Sequence, residues 1–167
     1  ATVKVAADCP LGEKTAQLRT KTGLTDYRTF FVGALPAVAE KEPNTEFSAP
    51  QPIDQNVTVE GVIQSEDVDY FVVEAKKGQR LSVEVEGMRF GQTLFDPYIA
   101  ILDEKRFELT AVDDSPLVRQ DAVTSIIVPA DGKYIIEMRE SGYGGNGNCR
   151  YRLHVGQFPR PTAVFPA

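Results

Sequence analysis

The sequence predicts an all-β protein: an antiparallel, jelly-roll-like β-sandwich with a few extra strands at its N-terminal end. Three observations carry this prediction. Apolar and polar residues alternate with a period of two in several segments, as they do in strands with one face on a core. Turn-forming residues separate these segments at short intervals. Helical spacing of apolar residues is almost absent.

The clearest alternation occurs in segments 81–86, 134–139 and 150–155, each predicted to be a strand with one solvent-exposed face. Further strands are predicted at 57–63, 68–75, 97–102, 107–112 and 124–128. Turn signals lie between them, at Lys77-Gly78, at Asp113-Asp114-Ser115-Pro116, at Ala130-Asp131-Gly132 and over 142–148. Several short strands at this spacing favour a sandwich or a jelly roll.

Composition changes at both ends of this region predict that the chain consists of four parts. Residues 1–35 contain short strands at 3–6, 16–20 and 30–32, too few to bury a sandwich core alone, so they are interpreted as part of an immunoglobulin-like neighbour. Residues 36–56, with many Pro, Glu, Asn and Ser, are predicted to be a linker at the domain edge. Residues 57–157 form the sandwich. Residues 158–167 alternate proline with apolar residues, as in a connector to a next module.

Composition and charge exclude several classes of protein. The 42% hydrophobic and 25% charged residues are typical of a packed globular domain. A net charge of −6 argues against a nucleic-acid partner, because phosphate binding requires clustered Lys and Arg. No apolar run is long enough to span a membrane, and residues 1–7 lack the form of a signal peptide, so any signal is expected upstream.

Two cysteines and a single histidine limit the chemistry further. Cys9 and Cys149 are too far apart in sequence for a CxxC motif. Two alternatives stay open for them: a disulfide that ties the N-terminal strands to the last strand, or two free buried thiols. His154 alternates with Leu153 and Val155, which predicts an outward-facing strand residue rather than a catalyst.

The segments richest in oxygen ligands are Glu40-Lys41-Glu42-Pro43-Asn44-Thr45 and Ser65-Glu66-Asp67-Val68-Asp69. Calcium prefers six to eight oxygens from carboxylates, amides and carbonyls. Two acidic segments that meet at the edge of a sheet would supply several of them. Solvated charges flanking a strand are the alternative interpretation.

A series of short motifs follows in order over residues 40–156. They are Glu40-x-Glu42-Pro43-Asn44, Val59-x-Gly61, Asp67-Val68-Asp69-Tyr70-Phe71, Lys77-Gly78-Gln79, Asp96-Pro97, Asp113-Asp114, Pro129-Ala130-Asp131-Gly132-x-Tyr134 and Tyr151-Arg152-Leu153. Together these motifs resemble the pre-peptidase C-terminal (PPC) domain, a family related to the collagen-binding domains of collagenases. The N-terminal strands resemble the closing half of an IPT/TIG module, an immunoglobulin-like β-domain.

The resemblance implies a jelly-roll-like sandwich and a calcium site. Two positions depart from the ligand pattern of the calcium-binding relatives: Thr45 stands in place of an aspartate, and Glu66 where an aspartate is expected, which should weaken the site. The implied metal ligands are Glu40, Glu42, Asn44, Thr45, the carbonyl of Gly61, Glu66 and Asp69.

The function predicted from these observations is that of a non-catalytic accessory module of a larger bacterial protein, secreted or at the cell surface. It would act as a spacer, sorting or binding domain, stabilised by Ca²⁺. Its partners would be neighbouring domains of the same chain, an extracellular protein or a polysaccharide. A carbohydrate- or protein-binding module is one alternative. Another is a carboxylate-dependent hydrolase using Asp113-Asp114 or Glu137, although adjacent strand residues point to opposite faces.

Overall fold

A computed structural model describes residues 4–91, 93–159 and 163 of the chain. The chain divides into two compact units, residues 1–36 and residues 37–167. Within the described residues, regular structure consists of strands and one short 3-10 helix, Met88–Phe90. The predicted all-β class is confirmed.

The N-terminal unit contains two small antiparallel pairs of strands, β1 (Gly12–Ala16) with β4 (Arg28–Val32) and β2 (Arg19–Thr20) with β3 (Gly23–Leu24). The strand predicted at 30–32 lies within β4. The one predicted at 16–20 is broken between β1 and β2. The strand predicted at 3–6 does not form at 4–6, and Val3 lies outside the described residues.

Ten strands build the second unit. They are β5 (Ala37–Ala39), β6 (Gln51–Pro52), β7 (Val57–Val62), β8 (Val68–Ala75), β9 (Arg80–Glu86), β10 (Pro97–Asp103), β11 (Glu108–Val112), β12 (Val123–Ile127), β13 (Gly132–Glu140) and β14 (Arg150–Gly156). Sheet A has the order β11-β10-β13-β8-β6, and sheet B has the order β12-β9-β14-β7-β5. The two sheets pack as the predicted sandwich, and every strand predicted between residues 57 and 157 is present.

The segment predicted to be a linker adds one strand to an edge of each sheet. β5 pairs with β7, and β6 pairs with β8, both in parallel orientation. The other pairs in the two sheets are antiparallel. Each sheet therefore has one parallel pair at an edge and antiparallel pairs elsewhere. The residues between β5 and β6 pass beside the start of β8.

The core follows the two-residue period. Leu81, Val83 and Val85 of β9 are fully buried, as are Leu153 and Val155 of β14, and they pack in one cluster with residues of sheet A. Because side chains alternate across a strand, this cluster fills the space between the sheets. The alternation in the sequence thus identified the core correctly.

The opposite faces of β9 and β14 were expected in solvent, and this expectation was wrong. Ser82, Glu84, Glu86, Arg152 and His154 are all buried, with His154 only 8% exposed. Buried polar groups need partners, and these have them. Arg152 Nη1 lies 2.7 Å from Glu86 Oε2, and His154 Nδ1 lies 2.8 Å from Thr58 Oγ1. His154 does lie on the face away from the core, but as a packed residue of a polar network.

The 3-10 helix extends this network. Arg89 Nη2 lies 2.8 Å from Glu84 Oε1, and Arg89 Nε binds the fully buried Asp121. Asp121 also accepts hydrogen bonds from the backbone N–H groups of Gly87 and Met88. The charges on this side of sheet B are therefore compensated by ion pairs and by backbone donors.

Both cysteines are free thiols in the structure, one in each unit, and the disulfide between them remains a prediction. Cys149 is 2% exposed and belongs to the apolar core cluster, where the surrounding side chains shield its sulfur. Cys9 is half-buried in the N-terminal unit. Most of the connector predicted at 158–167, namely residues 160–162 and 164–167, lies outside the described residues.

Candidate metal centre

Three carboxylates converge beside the edge of sheet B. One oxygen each of Glu40, Glu42 and Asp69 lies within 4.8 Å of the other two. Glu40 directly follows β5, and its backbone N–H donates to the carbonyl of Glu60, which continues the pairing with β7. Asp69 is the second residue of β8 and is fully buried. The start of β8 and the end of β5 thus bring together residues distant in sequence.

Asn44 completes this cluster and is only 1% exposed. Its backbone carbonyl accepts a hydrogen bond from Tyr70 N–H at 3.0 Å, which fixes the segment against β8. With its amide nitrogen turned inward, Asn44 donates to Glu42 Oε2 at 2.7 Å and to Asp69 Oδ1 at 3.2 Å. With the amide oxygen turned inward, the same side chain would add a fourth oxygen to the cluster.

Tyr151 supports the cluster from the core side. Its hydroxyl lies 2.6 Å from Asp69 Oδ2 and 3.0 Å from Glu40 Oε1. The second oxygen of Glu40 accepts a hydrogen bond from Val62 N–H. A Cβ at Gly61 would lie 2.4 Å from the Tyr151 ring, so glycine is needed at this position to make room for the tyrosine.

The proximity of these carboxylates changes their proton affinity. Burial, together with the hydrogen bond and charge of Glu40, raises the pKa of Asp69 to about 10, against the opposing hydrogen bond from Tyr151. Burial and the charges of Asp69 and Glu40 raise the pKa of the Tyr151 hydroxyl well above its usual value. The repulsion between the carboxylates therefore favours proton uptake by the cluster when no cation is bound.

This donor set fits a hard cation. Three carboxylates and one amide oxygen are the ligand types that Ca²⁺ prefers, and a bound cation would take the place of a proton in the cluster. Asn44 and Asp69 are buried, and Asp69 lies on the paired strand β8, whereas Glu42 is exposed to solvent.

The other implied ligands, Thr45, Gly61 and Glu66, have different contacts. Thr45 Oγ1 lies 3.5 Å from Asp67 Oδ1. The other oxygen of Asp67 accepts a hydrogen bond from Gln64 N–H, and this bond closes the β7–β8 turn. Glu66 is exposed in that turn, with a φ of 61°, and its N–H donates to the carbonyl of Tyr143. Gly61 lies in β7 opposite Tyr151. The structure thus brings together Glu40, Glu42, Asn44 and Asp69 from the implied set.

Sequence reasoning missed the part played by Tyr151. Its place in the alternation of β14 assigned it to the core, and that assignment is correct. The available signal was its hydroxyl, because a buried tyrosine hydroxyl usually requires a polar partner. The candidates for hydrolysis have structural partners: Glu137 Oε1 lies 3.2 Å from Arg139 Nε, and Asp113 Oδ1 accepts from Asp114 N–H.

The chain is similar to several solved structures at low sequence identity, whereas no protein-family model and no curated protein sequence matches it. The pre-peptidase C-terminal domain of collagenase from Bacillus anthracis is 15% identical, with a TM-score of 0.47, over 74% of this chain and 99% of that one. It belongs to the family that the sequence motifs resemble.

Two further structures have other described roles. A periplasmic inhibitor of g-type lysozyme from Aeromonas hydrophila is 15% identical, with a TM-score of 0.50, over 74% of this chain and 98% of that one. A surface-associated copper-binding protein of Methylomicrobium album is 8% identical, with a TM-score of 0.45, over 64% of this chain and 98% of that one. These similarities concern the fold.

Among the described residues, no helix is long and apolar enough to cross a membrane.

Proposed function

We propose that this chain is a non-catalytic extracellular accessory module in which Ca²⁺ fixes the segment between β5 and β6 to the sandwich. The observation that carries the proposal is the convergence of Glu40, Glu42 and Asp69 within 4.8 Å, beside the buried side chain of Asn44. Calcium bound there would join the segment between β5 and β6 to the start of β8.

The contacts of the acidic candidates favour an accessory role over hydrolysis. A carboxylate-dependent hydrolase needs a general acid and a general base facing a shared substrate position. Asp113 Oδ1 instead accepts a hydrogen bond from the neighbouring Asp114 N–H, and Glu137 forms an ion pair with Arg139. As a module of a secreted or surface-bound bacterial protein, the chain would connect neighbouring domains and bind an extracellular protein or a polysaccharide.

Thermal unfolding with calcium tests the metal site. A ligand that binds only the folded state stabilises it by mass action, so millimolar CaCl₂ should raise Tm by several degrees relative to a chelator, and MgCl₂ should raise it less. Because the raised pKa of Asp69 means that protons and calcium compete for the cluster, the shift should be larger at mildly alkaline than at mildly acidic pH.

A matched pair of variants makes this test specific. Glu42 is an exposed member of the cluster, and Asp54 is an exposed carboxylate that follows β6 and lies outside the cluster. Glu42→Gln should fold normally and lose most of the calcium shift, whereas Asp54→Asn should keep it. An equal shift in both variants, or no shift in the unmodified protein, would rule out this site.

A further inference from the structure

The Gly-rich loop, defined as residues 141–148, contains the dipeptide Asn146-Gly147. The loop packs against the turn between β7 and β8. Asn146 N–H donates to the carbonyl of Ile63 at 3.0 Å, and the carbonyl of Tyr143 accepts from Glu66 N–H at 2.9 Å. The side of the loop that carries Asn146 and Gly147 is exposed to solvent.

The side chain of Asn146 closes a short turn over the two residues that follow it. The Asn146 Oδ1 atom accepts a hydrogen bond from Asn148 N–H at 2.9 Å. A donor at this oxygen polarises the side-chain carbonyl and would stabilise the oxyanion formed when a nucleophile adds to Cγ. Within the described residues, the N–H of Gly147 donates no hydrogen bond.

Glycine at position 147 removes the main steric barrier to this attack. A Cβ built there would meet no atom within 4 Å, so the space around Gly147 is open on the solvent side. The backbone carbonyl of Asn146 is held by Cys149 N–H at 2.9 Å, which keeps the turn closed. The nucleophile, the polarised electrophile and solvent therefore meet at one exposed dipeptide.

We propose that Asn146-Gly147 is a site of spontaneous deamidation and isoaspartate formation in the folded protein. The Gly147 nitrogen forms a bond to Asn146 Cγ, the Cγ–Nδ2 bond breaks, and Nδ2 leaves as ammonia with the proton from the Gly147 amide. Water then adds to either carbonyl of the succinimide and opens it. The products are aspartate, or isoaspartate with the chain continuing through the side-chain carboxyl carbon.

The other asparagines of the chain, Asn44, Asn56 and Asn148, serve as internal controls. Asn44 is buried, and its amide lies within the acidic cluster. Asn56 Oδ1 accepts from Gln157 N–H, and a branched Val57 follows it. The residue after Asn148 is the buried Cys149. None of the three has an exposed glycine as its next residue.

Conversion at this site would alter the contact with the β7–β8 turn. Isoaspartate inserts one extra carbon into the backbone between the Ile63 contact and Cys149, and either product adds a carboxylate to the loop. The register that places Asn146 N–H on the Ile63 carbonyl would be displaced in the isoaspartyl form.

Peptide mapping by mass spectrometry tests the proposal. The folded full-length chain and a synthetic peptide of residues 143–151 are incubated in parallel at mildly alkaline pH. Backbone fragmentation then locates deamidation and distinguishes isoaspartate from aspartate. We expect both products at Asn146 in the folded protein, with Asn44, Asn56 and Asn148 intact, and loss of the conversion in Gly147→Ala over the same incubation.

The Gly147→Ala variant should fold, because the added methyl group meets no neighbour, and its Tm verifies this. Two results would overturn the proposal. One is an intact Asn146 in the folded protein while the peptide converts, which would show that the native turn blocks the attack. The other is equal conversion of Asn146 in the Gly147→Ala variant and in the wild-type protein.

Discussion

At the scale of single residues, the Tyr151 hydroxyl connects the core to the candidate metal centre. It lies within hydrogen-bonding distance of both Asp69 and Glu40, and its own ring is buried. One phenolic proton serves two carboxylates, so removing the hydroxyl would leave buried acceptors without a donor. Such a loss commonly costs about 1–3 kcal/mol.

Tyr151→Phe should therefore lower the free energy of unfolding by about 1–3 kcal/mol and reduce the calcium shift in Tm. Tyr134→Phe is the matched control, since the hydroxyl of this buried tyrosine donates to the carbonyl of Ala130, away from the cluster. The control should lose stability but keep the calcium response. Urea unfolding with and without calcium measures both quantities, and an unchanged calcium shift in Tyr151→Phe would contradict the role assigned to its hydroxyl.

Glu86 gives a prediction about pH. Burial alone would raise its pKa, but the hydrogen bond and charge of His154, with the charges of Arg152 and Arg89, lower it below the ordinary value of 4.5. A carboxylate with a lowered pKa in the folded state contributes stability above its unfolded pKa. That contribution is lost as pH falls through the folded pKa.

Glu86→Gln should thus destabilise the protein at neutral pH by on the order of 2 kcal/mol, because Arg152 loses a close partner. The difference from the unmodified protein should shrink as the pH falls below 4.5. Glu74→Gln, at an exposed position, is expected to change little at any pH. Chemical denaturation across this pH range checks the sign, and a difference that grows on acidification would refute it.

At the scale of elements, the Gly-rich loop depends on a close backbone contact. Gly145 has a φ of 143°, and a Cβ there would lie 2.2 Å from the carbonyl oxygen of Gln64. A side chain at this position is excluded both by the backbone conformation and by the neighbouring strand end. The loop can therefore pack against the β7–β8 turn only with glycine at this point.

Gly145→Ala should destabilise the fold by about 2 kcal/mol or more, through strain and displacement of the loop. Gly147→Ala, two residues further on, should change stability by less than about 0.5 kcal/mol, because its Cβ would be in open space. Thermal unfolding of the two variants side by side provides the comparison. Equal stabilities would mean that the close approach of the loop is not needed.

At the scale of the whole molecule, all residues that the structure describes as buried belong to the second unit. In the N-terminal unit, the described residues 4–36 are all exposed or half-buried, and Leu18, Leu24 and Tyr27 are among the exposed ones. Because burial of apolar surface is the main source of folding free energy, the sandwich should be the cooperative part of the chain.

A fragment of residues 37–159 is therefore expected to fold alone, unfold in one cooperative transition and keep the calcium shift of the full chain. Circular dichroism and calorimetry of the two proteins measure this. A fragment that unfolds without a cooperative transition would show that residues 1–36 are required for the sandwich.

The sequence by itself determined the fold class, nearly all strand positions of the sandwich and the core faces. These properties depend on local alternation and turn residues, which act over a few neighbouring positions. Leu81, Val83 and Val85 are the apolar positions of the alternation predicted over 81–86, and they are fully buried.

Only the tertiary structure decided which distant residues meet and which polar faces are covered. Glu40 and Tyr151 come together through the pairing of β5 with β7 and of β7 with β14, and Asp69 reaches them from β8 of the other sheet. No local period encodes such contacts. Alternation likewise identifies the polar side of β9 and β14. It does not determine whether that side is exposed to solvent or buried in ion pairs such as that between Glu86 and Arg152. The physical reason is that local pattern fixes the direction of a side chain, whereas its partners depend on contacts between strands far apart in sequence.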